Sequence, residues 1–536
     1  MNKINARKTR LLQKEIENVQ KQQVQLQKNL EDLQKQLTES SEPTNTLAKL
    51  PKLKFNGDLP AYLNTFTIDD IEYTILNDDT CAITNNNIDY DVNLNISCVT
   101  YRCKKYKVIA VYDYAFSDNS NIITVNLPEC LSIGLFAFNN CNHLTSVILP
   151  KCLTIGREAF SECVLLTSIV SPQCLTISYE AFSECDALIS VEFPKCTIIG
   201  RNAFAYCEGL VSVDFPQCIT IGQFAFISCE ALVSVDFPQC VTIGQGAFTQ
   251  GFLGEDFSNT QLYSAKFPKC TTIGDLAFAF CVSLSSIDFP VCTTIGDGAF
   301  AVCVSLSYVV FPLCTTIGDY AFGFGISFIE IGFLGGFGQF NQYGNNFNKL
   351  NNFNKFNISN KLNKFNKLNK SNSTAKVGPF DNLFALTSVS FPSCTVIGNG
   401  AFVGCDLLTT VCFPKCITIG NFAFLFCGIE YLTIPKTIQY IGNDAFSFNP
   451  LKCIKFEGSY HIVTGSSPFL SYGEFQDEES NGLNTTIICI HIPDMCKVEK
   501  YAKILQLPEN IFKSYKKCCY CNECMCIAQC PLKNHC

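Results

Sequence analysis

The chain has 536 residues, of which 47% are hydrophobic, with 34 cysteines and 39 basic against 47 acidic residues for a formal net charge of -8. That length exceeds one compact core and that apolar content excludes global disorder, so the chain is multidomain or elongated. The acidic balance supplies no basic footprint for nucleic acid, and no run of about 18 uncharged apolar residues marks a transmembrane segment.

Residues 1–40 open the chain. Leu12, Ile16, Val19, Gln23, Leu26, Leu30, Leu33 and Leu37 alternate spacings of four and three, the seam of a coiled-coil helix, which predicts self-association through residues 12–37. A lone amphipathic helix docked on the rest of the chain is the alternative. The first residues, MNKINARKTRLLQKEIENVQKQQ, lack the apolar core and small-residue cleavage site of a secretory signal. The expected location is therefore cytoplasmic, with surface or secreted placement left open. In a reducing compartment the cysteines serve packing, metal binding or chemistry rather than disulfides. Residues 41–65 read as a linker.

From residue 117 to 457 a period appears. Prolines stand at 128, 150, 172, 194, 216 and 238, again at 268, 290 and 312, and at 392 and 414, each 22 residues from its neighbour within a group. A period of that size means a solenoid. In one unit, CDALISVEFPKCTIIGRNAF from Cys185 to Phe204, Leu188, Val191 and Phe193 point to one side, while Ser190 and Glu192 point to the other. Pro194 ends that strand, and Gly200 after Ile199 is expected to take the positive φ of a tight corner. One cysteine opens each half-turn. Stacking such units about 4.8 Å apart predicts one long parallel sheet over a continuous core. The cysteine columns read as buried reduced thiols, although neighbours about 5 Å apart are also within disulfide reach.

The phrase C-x-x-L-x-x-V-x-F-P followed by I-G-x-x-A-F-x-x-C, as from Cys207 to Cys229, resembles the BspA-type leucine-rich repeat. The resemblance implies an α/β-type repeat solenoid, a right-handed coil with one long parallel sheet. It further implies protein-binding or adhesive roles and no enzymatic activity. Residues 66–116, strand-like around Asn-Asp-Asp turns, resemble the family's N-terminal cap, and residues 458–510, with a strand and an Asp494-started helix, read as the closing cap.

Two insertions interrupt the register, at about 249–261 and 334–378. In the second, Leu350, Phe353, Phe356, Leu362, Phe365 and Leu368 recur mostly three or four apart among seven lysines from 349 to 376. A basic amphipathic helix for a membrane surface or acidic partner is one reading of this segment, and a compositionally biased loop is the other.

The Cys-rich tail, residues 511–536, holds Cys518, Cys521, Cys524, Cys526, Cys530, His535 and Cys536. This density suits tetrahedral zinc, so Zn is a possible cofactor there, against a thiol-rich or lipid-modified tail. Catalysis has little support, because the four histidines fall in no nucleophile or metalloprotease motif. The candidate binding residues lie on the solvent side of the strands. Glu192, Asp214, Asp236 and Asp288 form an acidic stripe beside Ser190, Ser212, Ser234 and Ser286, and a basic protein partner would fit it. Plain solvation of an open sheet face is the alternative. The expected function is a non-enzymatic protein–protein interaction scaffold. A surface adhesin or a zinc-binding adaptor acting through the tail are the alternatives.

Overall fold

The computed structural model describes residues 65–250, 261–323, 385–458, 462–465, 468–469, 489–492, 503 and 512–514. The coiled-coil seam, the lysine-rich part of the second insertion and the cysteine-rich tail lie outside them. The coil opens with an antiparallel meander, Thr65–Ile68, Ile71–Ile75 and Thr80–Asn86, followed by the hairpin Cys98–Tyr101 and Lys104–Val111. Parallel pairing starts where Thr80–Asn86 meets Lys104–Val111 and where Val92–Asn95 meets Ile122–Asn126.

Thereafter most turns add one short strand to each of two ladders. Front strands such as Ser190–Glu192 and Ser212–Asp214 are three residues long and pair in parallel, Ser190 opposite Ser212 and Glu192 opposite Asp214. Rear strands such as Ile198–Ile199 and Thr220–Ile221 have two residues and pair in the same sense. Among the described residues only Lys503 is helical. The expected α/β coil is therefore corrected to an all-β one: with Gly200 two residues before Asn202, the rear half-turn is too short and too sharply turned to hold a helix.

The single long sheet also needs correcting. The long ladder is the rear one, continuous from Ser132–Ile133 to Val463–Thr464, whereas the front ladder breaks after Ser212–Asp214, Ser286–Asp288 and Thr410–Cys412. At each break the inward side chain, Val213, Ile287 or Val411, is partly exposed, while the corresponding Val191, Val235 and Val309 are buried.

The core follows the repeat. Leu188, Val191, Phe193, Cys196, Ile199, Ala203, Phe204 and Cys207 are all buried, and the same positions are filled in most other turns. Phe204 stacks between Phe182 and Phe226 with centroids 5.2 Å away on each side and rings within 7° of parallel. This aromatic column crosses both insertions unbroken, with Phe248 on Phe278 at 5.1 Å and Phe322 on Phe402 at 5.2 Å. Fully burying each ring contributes roughly 2–3 kcal/mol. Backbone bonds tie the corners as well as the strands: the Phe204 amide donates to the Ala225 carbonyl at 2.8 Å. In the second aromatic column Ser171 takes the place of a ring, buried and with its hydroxyl unpaired.

The cysteine columns are packed thiols with a hydrogen-bonding task. Cys196 donates to the Ile198 carbonyl at 3.3 Å and Cys185 to the Phe160 carbonyl of the preceding turn at 3.2 Å, so these buried thiols are paired with main-chain carbonyls. All column cysteines are free. Burial pushes the Cys196 and Cys207 thiols up to about 12 and Cys185 well above the usual range. Cys412, outside both columns, is disulfide-bonded.

The glycine reading is corrected as well. Gly200 does not have positive φ; a Cβ there would stand 2.6 Å from the Ser178 carbonyl carbon, so glycine is required by the approach of stacked backbones. The left-handed residues are Asn202 at φ 53° and Tyr206 at φ 60°, two and six positions later. Non-glycine residues fill such positions in most turns, at about 1 kcal/mol or more of strain each, because interturn bonds over-determine the corner.

Candidate interaction surface

The front ladder decides which side chains reach solvent. In Ser190–Glu192 the burial alternates exposed, buried, exposed, with Val191 anchored in the core, so Ser190 and Glu192 stand outward. Parallel register then stacks like on like from turn to turn. Ser190 aligns with Ser212 and Glu192 with Asp214; Ser264 aligns with Ser286 and Lys266 with Asp288. Between these two runs the front ladder is broken, so Asp214 and Asp236 are not partnered in register.

All four carboxylates and all four serines of the candidate set are exposed. They share one face but form two groups, Glu192 with Asp214 and Asp236 with Asp288. Lys266 lies between the second pair, its Nζ 3.2 Å from Asp236 Oδ2. Both partners are more than half exposed, so this contact contributes little to stability. What it demonstrates is geometric: the acidic column seats a lysine side chain.

The same face carries apolar side chains. Ile148 and Val170 sit in the acidic column two turns and one turn before Glu192, 41% and 50% exposed and paired in register. Ile189 and Val211, 56% and 40% exposed, flank the serines. The candidate residues read from the sequence did not include Ile189 and Val211. Their signal was available, since Leu188 already fills the inward position and leaves the next residue outside. Mixed apolar and acidic columns on an open sheet are chemically suited to a partner with basic and apolar groups.

A second outward surface lies along the corners. Asp113, Asp275, Asp297, Asp319, Asn399 and Asn421 each accept, through Oδ1, the backbone amide of the equivalent residue one turn on, at 2.7–2.9 Å. Burial and then the flanking Asp275 and Asp319 raise the Asp297 carboxyl above its ordinary value, against the Asp319 amide that lowers it. Nearer the start, Arg157 bonds Glu158 at 2.9 Å and lies over Tyr179 at 4.8 Å. Burial and Glu180 raise the Glu158 carboxyl. The corner ladder ties each side-chain oxygen to the backbone of the next turn and serves the fold.

Among the described residues no group of three His, Cys, Asp or Glu side chains is placed to hold a metal ion, and no helix is long and apolar enough to cross a membrane. The proposed zinc ligands Cys518, Cys521, Cys524, Cys526, Cys530, His535 and Cys536 lie outside the described residues.

Similar solved structures are leucine-rich repeat proteins. A protein from Bacteroides ovatus is 21% identical over 84% of this chain and 100% of its own, with a TM-score of 0.49. A leucine-rich cell surface protein from Faecalibacterium prausnitzii is 20% identical over 80% of this chain and 99% of its own, TM-score 0.37. A leucine-rich repeat protein of T. pallidum is 20% identical over 45% of this chain and 90% of its own, TM-score 0.28. No curated protein matches the chain. The family model for the BspA type leucine-rich repeat region matches residues 84–188, 153–255, 252–376 and 373–473, and by that match the chain belongs to the BspA-type leucine-rich repeat family.

Proposed function

We propose that this protein is a non-enzymatic interaction scaffold whose front sheet face binds a protein partner carrying basic and apolar side chains. One observation carries the reading: Ile148, Val170, Glu192 and Asp214 stand in a single outward column, held in register by a ladder whose opposite side is core. A rigid, repetitive surface of this kind presents contacts at fixed spacing and costs little ordering on binding. The buried thiol columns are unbridged, which supports a reducing, cytoplasmic setting, while the Cys412 disulfide runs against it. Self-association through residues 12–37 would multiply the surface.

The test is affinity capture from an extract of the source cell with the full chain and with a variant carrying Asp214→Lys, Asp236→Lys and Asp288→Lys. Loss of specific partners from the variant supports the reading. Capture of an identical set at equal yield overturns it. Thiol counting without reductant addresses the adhesin alternative, which requires the column cysteines to be paired.

A further inference from the structure

We propose that the chain pairs with a second copy of itself through the open edge strand Val92–Asn95, joining two front ladders into one sheet across a two-fold axis. The inference is independent of what the front face binds.

The front ladder begins with a strand that has a neighbour on one side only. Val92–Asn95 is the end member of the first front run and pairs with Ile122–Asn126, and among the described residues no strand lies beyond it. The antiparallel meander Thr65–Asn86 extends the rear ladder instead. The Val92 and Ile96 amides donate to the Asn121 and Asn126 carbonyls at 2.8 and 3.0 Å. Main-chain groups of successive strand residues point to opposite sides, so those of Asp91, Asn93 and Asn95 face the open edge. Donors and acceptors left in that position are a template for another strand.

The side chains do not guard this edge. Between Asp91 and Asn95 there is no lysine or proline, the usual protections of an edge strand. Asp91, Asn93 and Asn95 are exposed above the buried Leu94. Asn93 Oδ1 accepts the Thr124 hydroxyl at 2.8 Å, and Asn95 Oδ1 accepts Asn126 Nδ2 at 3.1 Å. Each amide oxygen is thus engaged by the next turn, which leaves Nδ2, on the other side of the amide, as the donor for a neighbour at the edge.

The edge is complementary to itself, and this selects the occupant. In an antiparallel pair, edge-facing residues must stand opposite edge-facing residues. The chain bends at Tyr90, so the usable edge runs from Asp91 to Asn95, and the register that uses all of it centres on Asn93. Asn93 then meets Asn93 of the second copy. Each Asp91 meets an Asn95, a carboxylate against an amide donor. A slip that brought Asp91 to Asp91 would set like charges opposite one another, which destabilises a strand pair. The two-fold axis stands perpendicular to the sheet, so both front faces look the same way and the binding surface is doubled.

The experiment is disulfide trapping in the full chain at about 100 μM, where a contact smaller than a standard interface is populated. In Asn93→Cys, oxidation by copper–phenanthroline in air should join residue 93 to residue 93 of another copy, because facing hydrogen-bonded positions stand about 5.5 Å apart, within disulfide reach. Only two chains can make that link, and peptide mass spectrometry separates it from links of the native cysteines. In Asn95→Cys the like positions stand roughly 14 Å apart, so the 95-to-95 yield should be about tenfold lower or less. Adding Asn95→Asp to Asn93→Cys sets carboxylate against carboxylate and should cut the 93-to-93 yield several-fold. A further Asp91→Asn restores the carboxylate–amide pair and should bring the yield back, which shows that the chain still folds. Absence of the 93-to-93 link, equal yields at 93 and 95, or a yield that Asn95→Asp leaves unchanged overturns the proposal.

Discussion

Truncating one ring of the aromatic column measures how far neighbouring turns depend on each other. Phe204 is fully buried, stacks on Phe182 and Phe226 at 5.2 Å each, and meets Phe193 and Phe215 at 6.4 and 5.9 Å. Phe204→Ala therefore deletes a core ring, at about 3–5 kcal/mol. Phe136 is the control. Its ring lies on the outer corner, only partly buried, against Tyr114 at 5.0 Å and Arg157 at 5.8 Å. Phe136→Ala should cost about 1 kcal/mol, the value of an exposed aromatic pair. Because a solenoid is coupled through nearest neighbours, the loss should be local. Site-resolved hydrogen exchange is the assay. In Phe204→Ala the amides of Phe182 and Phe226, which donate to Ala203 and Ala247, should lose protection by roughly two orders of magnitude, while that of Phe424 keeps its own. The reasoning is refuted if Phe204→Ala costs no more than Phe136→Ala, or if protection falls equally along the whole coil.

Asp297→Asn retains the acceptor that holds the Asp319 amide and removes the charge flanked by Asp275 and Asp319. The folded carboxyl sits above its ordinary value, so wild type is penalised above that pKa and relieved below the unfolded one. The variant should be more stable at pH 7 by about 0.5 kcal/mol, a figure kept small by the partial exposure of the site, and the gap should close below about pH 4. Denaturant melts across pH 3–8 check this, and a gap that widens on acidification contradicts it. Thiol labelling of the native protein at neutral pH should modify Cys98 well before any column cysteine. The Ser97 hydroxyl and Lys105 lower the Cys98 thiol, whereas burial raises Cys185 and Cys229. Site-resolved mass spectrometry reads the order, and equal rates at Cys98 and Cys185 would refute the packing account.

The candidate site was legible in part. Glu192, Asp214, Asp236 and Asp288 are outward because alternation around Val191 and its equivalents dictates it, and the structure places them on one face. Their division into two groups was not legible, since the break after Ser212–Asp214 occurs between two nearly identical units, CEGLVSVDFPQC and CEALVSVDFPQC. They differ only at Gly209 and Ala231, outside the strands themselves, and how whole turns stack is not written in either unit.

By itself the sequence determined the period and the inward columns, because both depend on residue type at fixed spacing. Proline, cysteine, leucine and phenylalanine every 22 residues admit one register of stacking and no other that buries them all. Only the tertiary structure decided which ladder runs unbroken and why Gly200 is glycine, and it alone showed that the corner strain falls on Asn202 and Tyr206. These are properties of contact between turns, where a backbone passing 2.6 Å from the place a Cβ would take, or a break in one ladder, exists only once the next coil has been laid on top.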